Sequence, residues 1–376
     1  MAKRFSVRPR FRSFLTEKQF RDLTTLRVGG SIRDYRRPAT RAELIDTFRD
    51  VSSGRQPWFL LGGGSNIVVS DDEFDGTVIH VATTGIDARE NGGRVLVTAQ
   101  AGESWDHLVA WTVENGLSGI EALSGIPGTV GAAPIQNIGA YGAEFADTFV
   151  LLQFVDAGTG EVVTLGPDDL RFGYRHSALK EGRAGLVVSV TLSLTKSEDS
   201  APIRYGQLAT ALGVDVGETA ALADVRRTVL DLRASKGMVV SDDPDSISVG
   251  SFFTNPIVSD ELSRRLPADA PRFPLEGDRA PVVVPLGADH EFTGFNGAAP
   301  DVKLSAAWLI ERAGVPRGFS LPGNNAGVSS KHTLALVNRG GATAREVIEL
   351  ARYISIRVHD TFGIMLTPEP SFIGFD

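Results

Sequence analysis

Residues 123–144 read Leu-Ser-Gly-Ile-Pro-Gly-Thr-Val-Gly-Ala-Ala-Pro-Ile-Gln-Asn-Ile-Gly-Ala-Tyr-Gly-Ala-Glu, an order that no regular element accommodates. Glycines at 125, 128, 131, 139 and 142 are interspersed with Pro127 and Pro134, and neither a helical nor a strand period of apolar residues runs through them. Glycine lets a backbone approach a ligand closely and turn its N–H groups inward, and such a nest suits phosphate oxygens. The plain alternative is a chain of tight surface turns. A second loop, Gly62-Gly63-Gly64-Ser65-Asn66, sits between the apolar runs 58–61 and 67–69 and weighs against that alternative. Two glycine loops can clamp one diphosphate.

Neither loop matches the common nucleotide motifs. Gly-x-x-x-x-Gly-Lys-[Ser/Thr] is absent, and no Gly-x-Gly-x-x-Gly opens a helix after Gly62, so a P-loop and a Rossmann site are both disfavoured. A ligand extended between two subdomains is the remaining expectation. There are no cysteines, which excludes disulfides, thiolate metal sites, iron–sulfur clusters and a cysteine nucleophile. The six histidines stand singly with no His-x-x-x-His pair, so no metal site is expected. Gly-x-Ser-x-Gly is absent as well, so there is no serine nucleophile elbow. A net charge of −8 argues against nucleic acid or an anionic membrane as partner, without excluding an anionic small molecule in a local basic pocket. No apolar run reaches the length of a membrane span. The start is basic, without an acid before Glu17 and without the apolar core of a secretory signal. Its arginine-rich composition also suits a transit peptide; we read it as a basic tail on a cytoplasmic protein.

The 376 residues suffice for two or three folded units. Short strands are expected over 78–101, broken by Asn-Gly-Gly, and longer ones over 149–195. Helices are expected over 104–116 (Ser104 as N-cap, Gly116 closing it), 218–234, 303–313 and 342–357. Residues 196–204 read as a polar linker, and 259–300 as Pro-, Asp- and Gly-rich with a strand-like Val282-Val283-Val284. The class is α+β.

Three further segments carry polar residues in unusual places: Arg171-Phe-Gly-Tyr174-Arg175-His-Ser177, Gly250-Ser251-Phe-Phe-Thr-Asn255-Pro, and Phe362-Gly-Ile-Met-Leu-Thr-Pro-Glu369. Taken singly they read as a strand end with solvated charges, a turn beside a core Phe pair, and an exposed acid. Taken in order with the two glycine loops and Lys303-Leu-Ser-Ala-Ala-Trp-Leu-Ile-Glu311, they make the chain resemble the UDP-N-acetylenolpyruvoylglucosamine reductase (MurB) family from about residue 24 to 374.

The resemblance implies a two-subdomain FAD-binding region of the vanillyl-alcohol-oxidase type and a C-terminal α+β substrate domain. The implied boundaries are 1–80, joined in space by 356–376, then 81–200, and 201–355. It implies noncovalent FAD and NADPH, a UDP-sugar substrate, and a reaction in which NADPH reduces FAD and the flavin reduces an enolpyruvyl ether to a lactyl ether. A monomer is expected. The FAD contacts implied are Gly62, Gly63, Gly64, Ser65, Asn66, Gly125, Ile126, Pro127, Gly128, Thr129, Gly131, Gln136, Asn137, Gly139, Ala140, Tyr141 and Gly142. The catalytic residues implied are Arg175, to steady charge on the enolpyruvyl carboxylate, Ser251, to protonate the carbon bearing the ether oxygen, and Glu369, to assist Arg175. Tyr174, Tyr205, Lys236 and Asn255 are implied near the UDP-sugar, with Tyr205 on a mobile loop. The chain departs from the family at Thr24, where Asn is usual, and after Lys236, where Gly-Met-Val-Val replaces Leu-Pro. It reads Leu-Thr-Pro-Glu for Leu-Glu-Pro-Glu, which leaves Glu369 as the one candidate carboxylate there. The rivals are another oxidase of the same FAD-binding type and a nucleotide-binding protein without activity.

Overall fold

The computed structural model describes residues 18–275 and 301–375; the basic start and Val282-Val283-Val284 lie outside the described residues. Strands Ile32–Arg36, Phe74–His80 and Trp58–Leu61 form a parallel sheet with Phe74–His80 in the middle. The helix Arg41–Ser52 makes the crossover, capped by a reciprocal Thr40–Glu43 box. Beside it, Ile67–Val69 pairs in parallel with Ser371–Ile373, which brings the end of the chain to the strand leaving the first glycine loop.

The second sheet is antiparallel, in the order Val162–Leu165, Phe149–Asp156, Gly185–Lys196, Arg94–Gln100 and Ile86–Asn91. Its outer hairpin turns on Gly92 and Gly93 at φ 57° and 85°, the two left-handed positions that a two-residue hairpin of this twist demands. Val95, Val97 and Ala99 alternate inward along Arg94–Gln100. They join the large apolar core with Trp105, Leu108 and Val109 from the helix Trp105–Glu114. That helix starts where expected, with the Ser104 hydroxyl accepting the His107 N–H at 3.3 Å.

A second core gathers Val249, Phe252, Phe253, Leu309, Leu336 and one face of the helix Ala344–Phe362. This helix outruns its expected end because no breaker occurs before Gly363, whose φ of 70° closes it. The helix expected over 218–234 instead begins at Leu222. The residues just before it are committed to tertiary bonds, Ile203 N–H to the Glu218 carbonyl and Ser200 N–H to the Ala220 carbonyl, each 2.8 Å. The same bonds, with Ala201 N–H donating to Glu121 at 2.7 Å, pin the stretch read as a linker. Helices Gly206–Leu212 and Leu222–Ser235 then pack through Leu208, Val225 and Val229 against Ala122 and Tyr141, beneath the second glycine loop. No helix of the described residues is long and apolar enough to cross a membrane, and none of their His, Asp and Glu side chains group so as to hold a metal ion.

Candidate active site

The two glycine loops meet. Ser65 Oγ donates to the Pro127 carbonyl at 3.0 Å. A Cβ added to Gly63 would stand 2.7 Å from Gly128 Cα, and one on Gly62 would stand 2.7 Å from Thr129 Oγ1. Gly63 is needed because backbone lies against backbone there, and Gly62 because the Thr129 side chain fills the space a Cβ would take. The paired loops form one wall of a cavity of about 990 Å³ that runs from between the two sheets to the second core.

Arg175 reaches this cavity from the tip of a tight turn. Gly173 and His176 exchange both backbone hydrogen bonds at 3.1 Å, so Tyr174 and Arg175 form a two-residue loop with Arg175 at φ 52°. A left-handed non-glycine residue persists only where its surroundings hold it. Here Ser177 Oγ donates to the Ile135 carbonyl at 2.6 Å and Arg175 Nη2 donates to the Gly139 carbonyl at 2.7 Å, tying the turn to the second glycine loop.

Ser251 ends the strand Ser248–Ser251. Ser248 stands opposite Val337 and Ser251 opposite Ala335, so the strand carries one residue more than its partner, and Gly250 at φ 75° takes up the extra length. Such a bulge re-aims the side chain that follows it, and Ser251 lines the cavity. Phe252 and Phe253 behind it are buried, as expected of a core pair. Glu369 is brought alongside by its N–H donating to the Phe252 carbonyl at 2.8 Å, with Thr254 N–H on the Thr367 carbonyl at 3.0 Å below it. Glu369 Oε1 lies 3.1 Å from Arg175 Nε, with the two side chains only 13% and 20% exposed. Burial pushes the Glu369 carboxyl up, outweighing the downward pull of Arg175 and Lys180.

Every residue singled out from the sequence lines this one cavity except two. Gly125 stands behind the wall, its N–H on Asp106 Oδ1 at 2.6 Å, and a Cβ added to it would stand 2.8 Å from Leu230 and 3.3 Å from Arg233. Asn137 is buried, with its amide spent on Glu144 at 2.8 Å, the Gly173 carbonyl at 3.1 Å and the Ala146 N–H at 3.0 Å. It therefore braces the loop and the Arg175 turn. Tyr174 lies beneath two cations, with Lys303 Nζ 5.0 Å and Arg175 Cζ 5.4 Å from its ring centre. Tyr205 packs edge-on against Tyr141 at 5.7 Å, and Lys236 Nζ donates to Gln207 at 2.9 Å. Asn255 has its Oδ1 occupied by the Ala306 N–H at 3.0 Å, and its side chain also acts on the neighbouring Tyr174 hydroxyl.

The wall is strongly cationic for a chain of net charge −8: Arg175, Lys180, Arg183, Arg204, Arg233, Lys236 and Lys303 stand against Glu144, Asp147 and Glu369. Such a cleft focuses positive potential on an anionic ligand. Burial pulls Lys180, Lys236 and Arg233 down, and His332, pushed down to about 4 by burial and by Lys236, adds no charge at neutral pH. The sequence reading missed Lys180, Arg183, Arg204, Arg233, Lys303 and His332. Lys180, Lys303 and Arg204 adjoin recognised features: three residues after Ser177, at the head of Lys-Leu-Ser-Ala, and next to Tyr205.

Comparison with known proteins accords with this architecture. A family described as "FAD binding domain" matches residues 34–166, and one described as "UDP-N-acetylenolpyruvoylglucosamine reductase, C-terminal domain" matches 243–373. A UDP-N-acetylenolpyruvoylglucosamine reductase of Leifsonia xyli is 51% identical over 94% of this chain and 97% of its own length. That of Nocardia farcinica is 47% identical over 94% and 88%. The crystal structure of the Thermus caldophilus reductase superposes with a TM-score of 0.61 at 26% identity, over 95% of this chain and 98% of that one. With half its residues shared across nearly its full length, the chain belongs to the UDP-N-acetylenolpyruvoylglucosamine reductase family.

Proposed function

We propose that the chain reduces UDP-N-acetylglucosamine enolpyruvate to UDP-N-acetylmuramate with NADPH and noncovalent FAD, a step of peptidoglycan precursor synthesis, acting as a monomer in the cytoplasm. The observation that carries this reading is the convergence of Arg175, Ser251 and Glu369 on the cavity that the paired glycine loops border. The family assignment supplies the substrate.

The cavity fits FAD. Its glycine-rich loops are of the kind whose backbone N–H groups receive a diphosphate, and the cavity also reaches Phe59, Val81, Leu186 and Val187, an apolar lining suited to a flat ring. When bound, FAD supplies the hydride transfer from NADPH to the alkene. Residues 62–66 and 126–142 would hold it. Gly63→Ala is therefore expected to purify pale, with FAD affinity at least about tenfold weaker, a loss of about 1.4 kcal/mol, because the new methyl meets Gly128. Flavin absorbance of the purified variant and a titration with FAD check this.

Arg175 binds the enolpyruvyl carboxylate, on which charge builds as the alkene is reduced, and a guanidinium matches that group in shape as well as charge. Ser251 gives its hydroxyl proton to the carbon bearing the ether oxygen; the hydroxyl is a weak acid, but the enolate it meets is a strong base. Glu369, held toward its neutral form by burial, donates a hydrogen bond to the same carboxylate. Lys236 and Tyr205 meet the diphosphate, and Tyr174 and Asn255 border the sugar.

The protonation state of Glu369 tests this division of labour. A neutral donor is present below its pKa and lost as pH rises through it, so turnover falls on a basic limb that lies above the usual carboxylate range. Glu369→Gln keeps a donor at all pH values; that limb disappears and turnover at neutral pH falls about tenfold or more. A Glu369→Gln profile that keeps the limb of the parent refutes the role.

A further inference from the structure

Asn66 and Gln136 entered the sequence reading as FAD contacts, yet their side chains are joined to Glu369. Asn66 Nδ2 donates to Gln136 Oε1 at 2.8 Å, and Gln136 Nε2 donates to Glu369 Oε1 at 3.2 Å. Asn66 Nδ2 also lies 3.4 Å from the Glu369 carbonyl, and the Asn66 carbonyl accepts the Ser371 N–H at 3.1 Å. The ring so formed sets the direction of every bond in it. An asparagine N–H₂ only donates, so Gln136 must present its oxygen to Asn66 and its nitrogen to Glu369. Glu369 Oε1 thus faces two N–H groups, Gln136 Nε2 and Arg175 Nε, and has no room for a proton of its own. No hydrogen bond among the described residues falls on Oε2.

We infer that Gln136, held by Asn66, is a positioning residue that confines the acid proton of Glu369 to Oε2, the oxygen left to serve the substrate. This rests on the reading above that Glu369 acts as a neutral donor. Without the amide, the carboxyl turns more freely and its proton is shared between two oxygens, only one of which is useful. The charged and titratable groups that act on Glu369 are Arg175, Lys180 and Tyr174, all on the 174–180 segment. Gln136 and Asn66 from the glycine loops, and Ser251 from the strand bonded to the Glu369 segment, are neutral, so the amide chain adds direction without adding charge.

The experiment mixes pre-reduced holoenzyme with the enolpyruvyl UDP-sugar across a pH range and follows return of the oxidised flavin absorbance, for the parent, Gln136→Met and Gln136→Glu. Gln136→Met keeps the volume and loses the donor. Its limiting rate is expected to fall at least tenfold with little change in the substrate concentration giving half that rate, and its basic limb moves to higher pH because a donor to the ionised carboxylate is gone. Gln136→Glu keeps the acceptor for Asn66 and sets a second carboxyl against Glu369, which moves the limb further in the same direction; this variant decides the matter if Gln136→Met loses its flavin. A limb and limiting rate equal to the parent's in the variant that retains flavin would overturn the inference. A parent enzyme whose flavin is not reoxidised by the substrate would instead overturn the functional reading.

Discussion

Ser251→Ala is expected to stay yellow and to lose turnover by about 10²- to 10⁴-fold, the range that a positioned proton donor contributes. The substitution removes one hydroxyl from the end of a strand whose position is set elsewhere. Its bulge is made by Gly250, and its continuation is fastened by Phe252 N–H on the Leu334 carbonyl at 2.7 Å and by the Glu369 N–H on the Phe252 carbonyl. The contact between the two glycine loops, Ser65 Oγ on the Pro127 carbonyl, does not involve Ser251. Under the proposed mechanism the loss falls on protonation of the carbon bearing the ether oxygen. Ser251→Cys, which restores an acidic proton at that position, recovers part of the rate. Steady-state NADPH oxidation, with flavin content as the control for folding, measures both. Full activity in Ser251→Ala would remove Ser251 from the mechanism.

Arg175→Lys is expected to lower turnover by about 10²- to 10³-fold, the range seen when one fixed donor to a developing anion is lost. Lysine keeps the charge, but it lacks the fork that serves two oxygens at once. In the structure, Arg175 Nε lies by Glu369 Oε1, Nη2 holds the Gly139 carbonyl, and Nη1 reaches the Asn137 carbonyl at 3.4 Å. Three separate nitrogens thus set the plane of the guanidinium before substrate arrives, and an ammonium cannot reproduce that. Arg175→Ala goes further, since it leaves Glu369 buried without its counter-ion and drives that carboxyl higher still. Its basic limb moves up while its rate falls by more than that of Arg175→Lys. The same NADPH assay, run from low to high pH, reads both effects.

The parts of this molecule legible in the sequence were those where local chemistry decides the outcome. The glycine loops announced themselves because a run of Gly and Pro fits no element, and Ser104 and Gly92-Gly93 act through bonds or dihedrals within a few residues of themselves. The proposed catalytic residues were legible only through the resemblance to a family, since Arg175, Ser251 and Glu369 come from three distant segments joined by backbone bonds such as Glu369 to Phe252. What escaped was set by tertiary contact. The helix beginning at Leu222 lost its expected first turn to bonds with 200–203. Asn137 and Gly125 looked like their ligand-facing neighbours, and only burial and partner bonds distinguish them. The cavity cations Arg183 and Arg233 lie on unremarkable stretches and join the positive wall only once folded.

The decisive measurement is NADPH oxidation by the yellow purified protein with and without the enolpyruvyl UDP-sugar. The predicted result is slow oxidation alone and rapid oxidation on adding the sugar nucleotide, one NADPH consumed for each lactyl ether formed. Oxidation at the same rate in both samples, with the enol ether recovered intact, would contradict it.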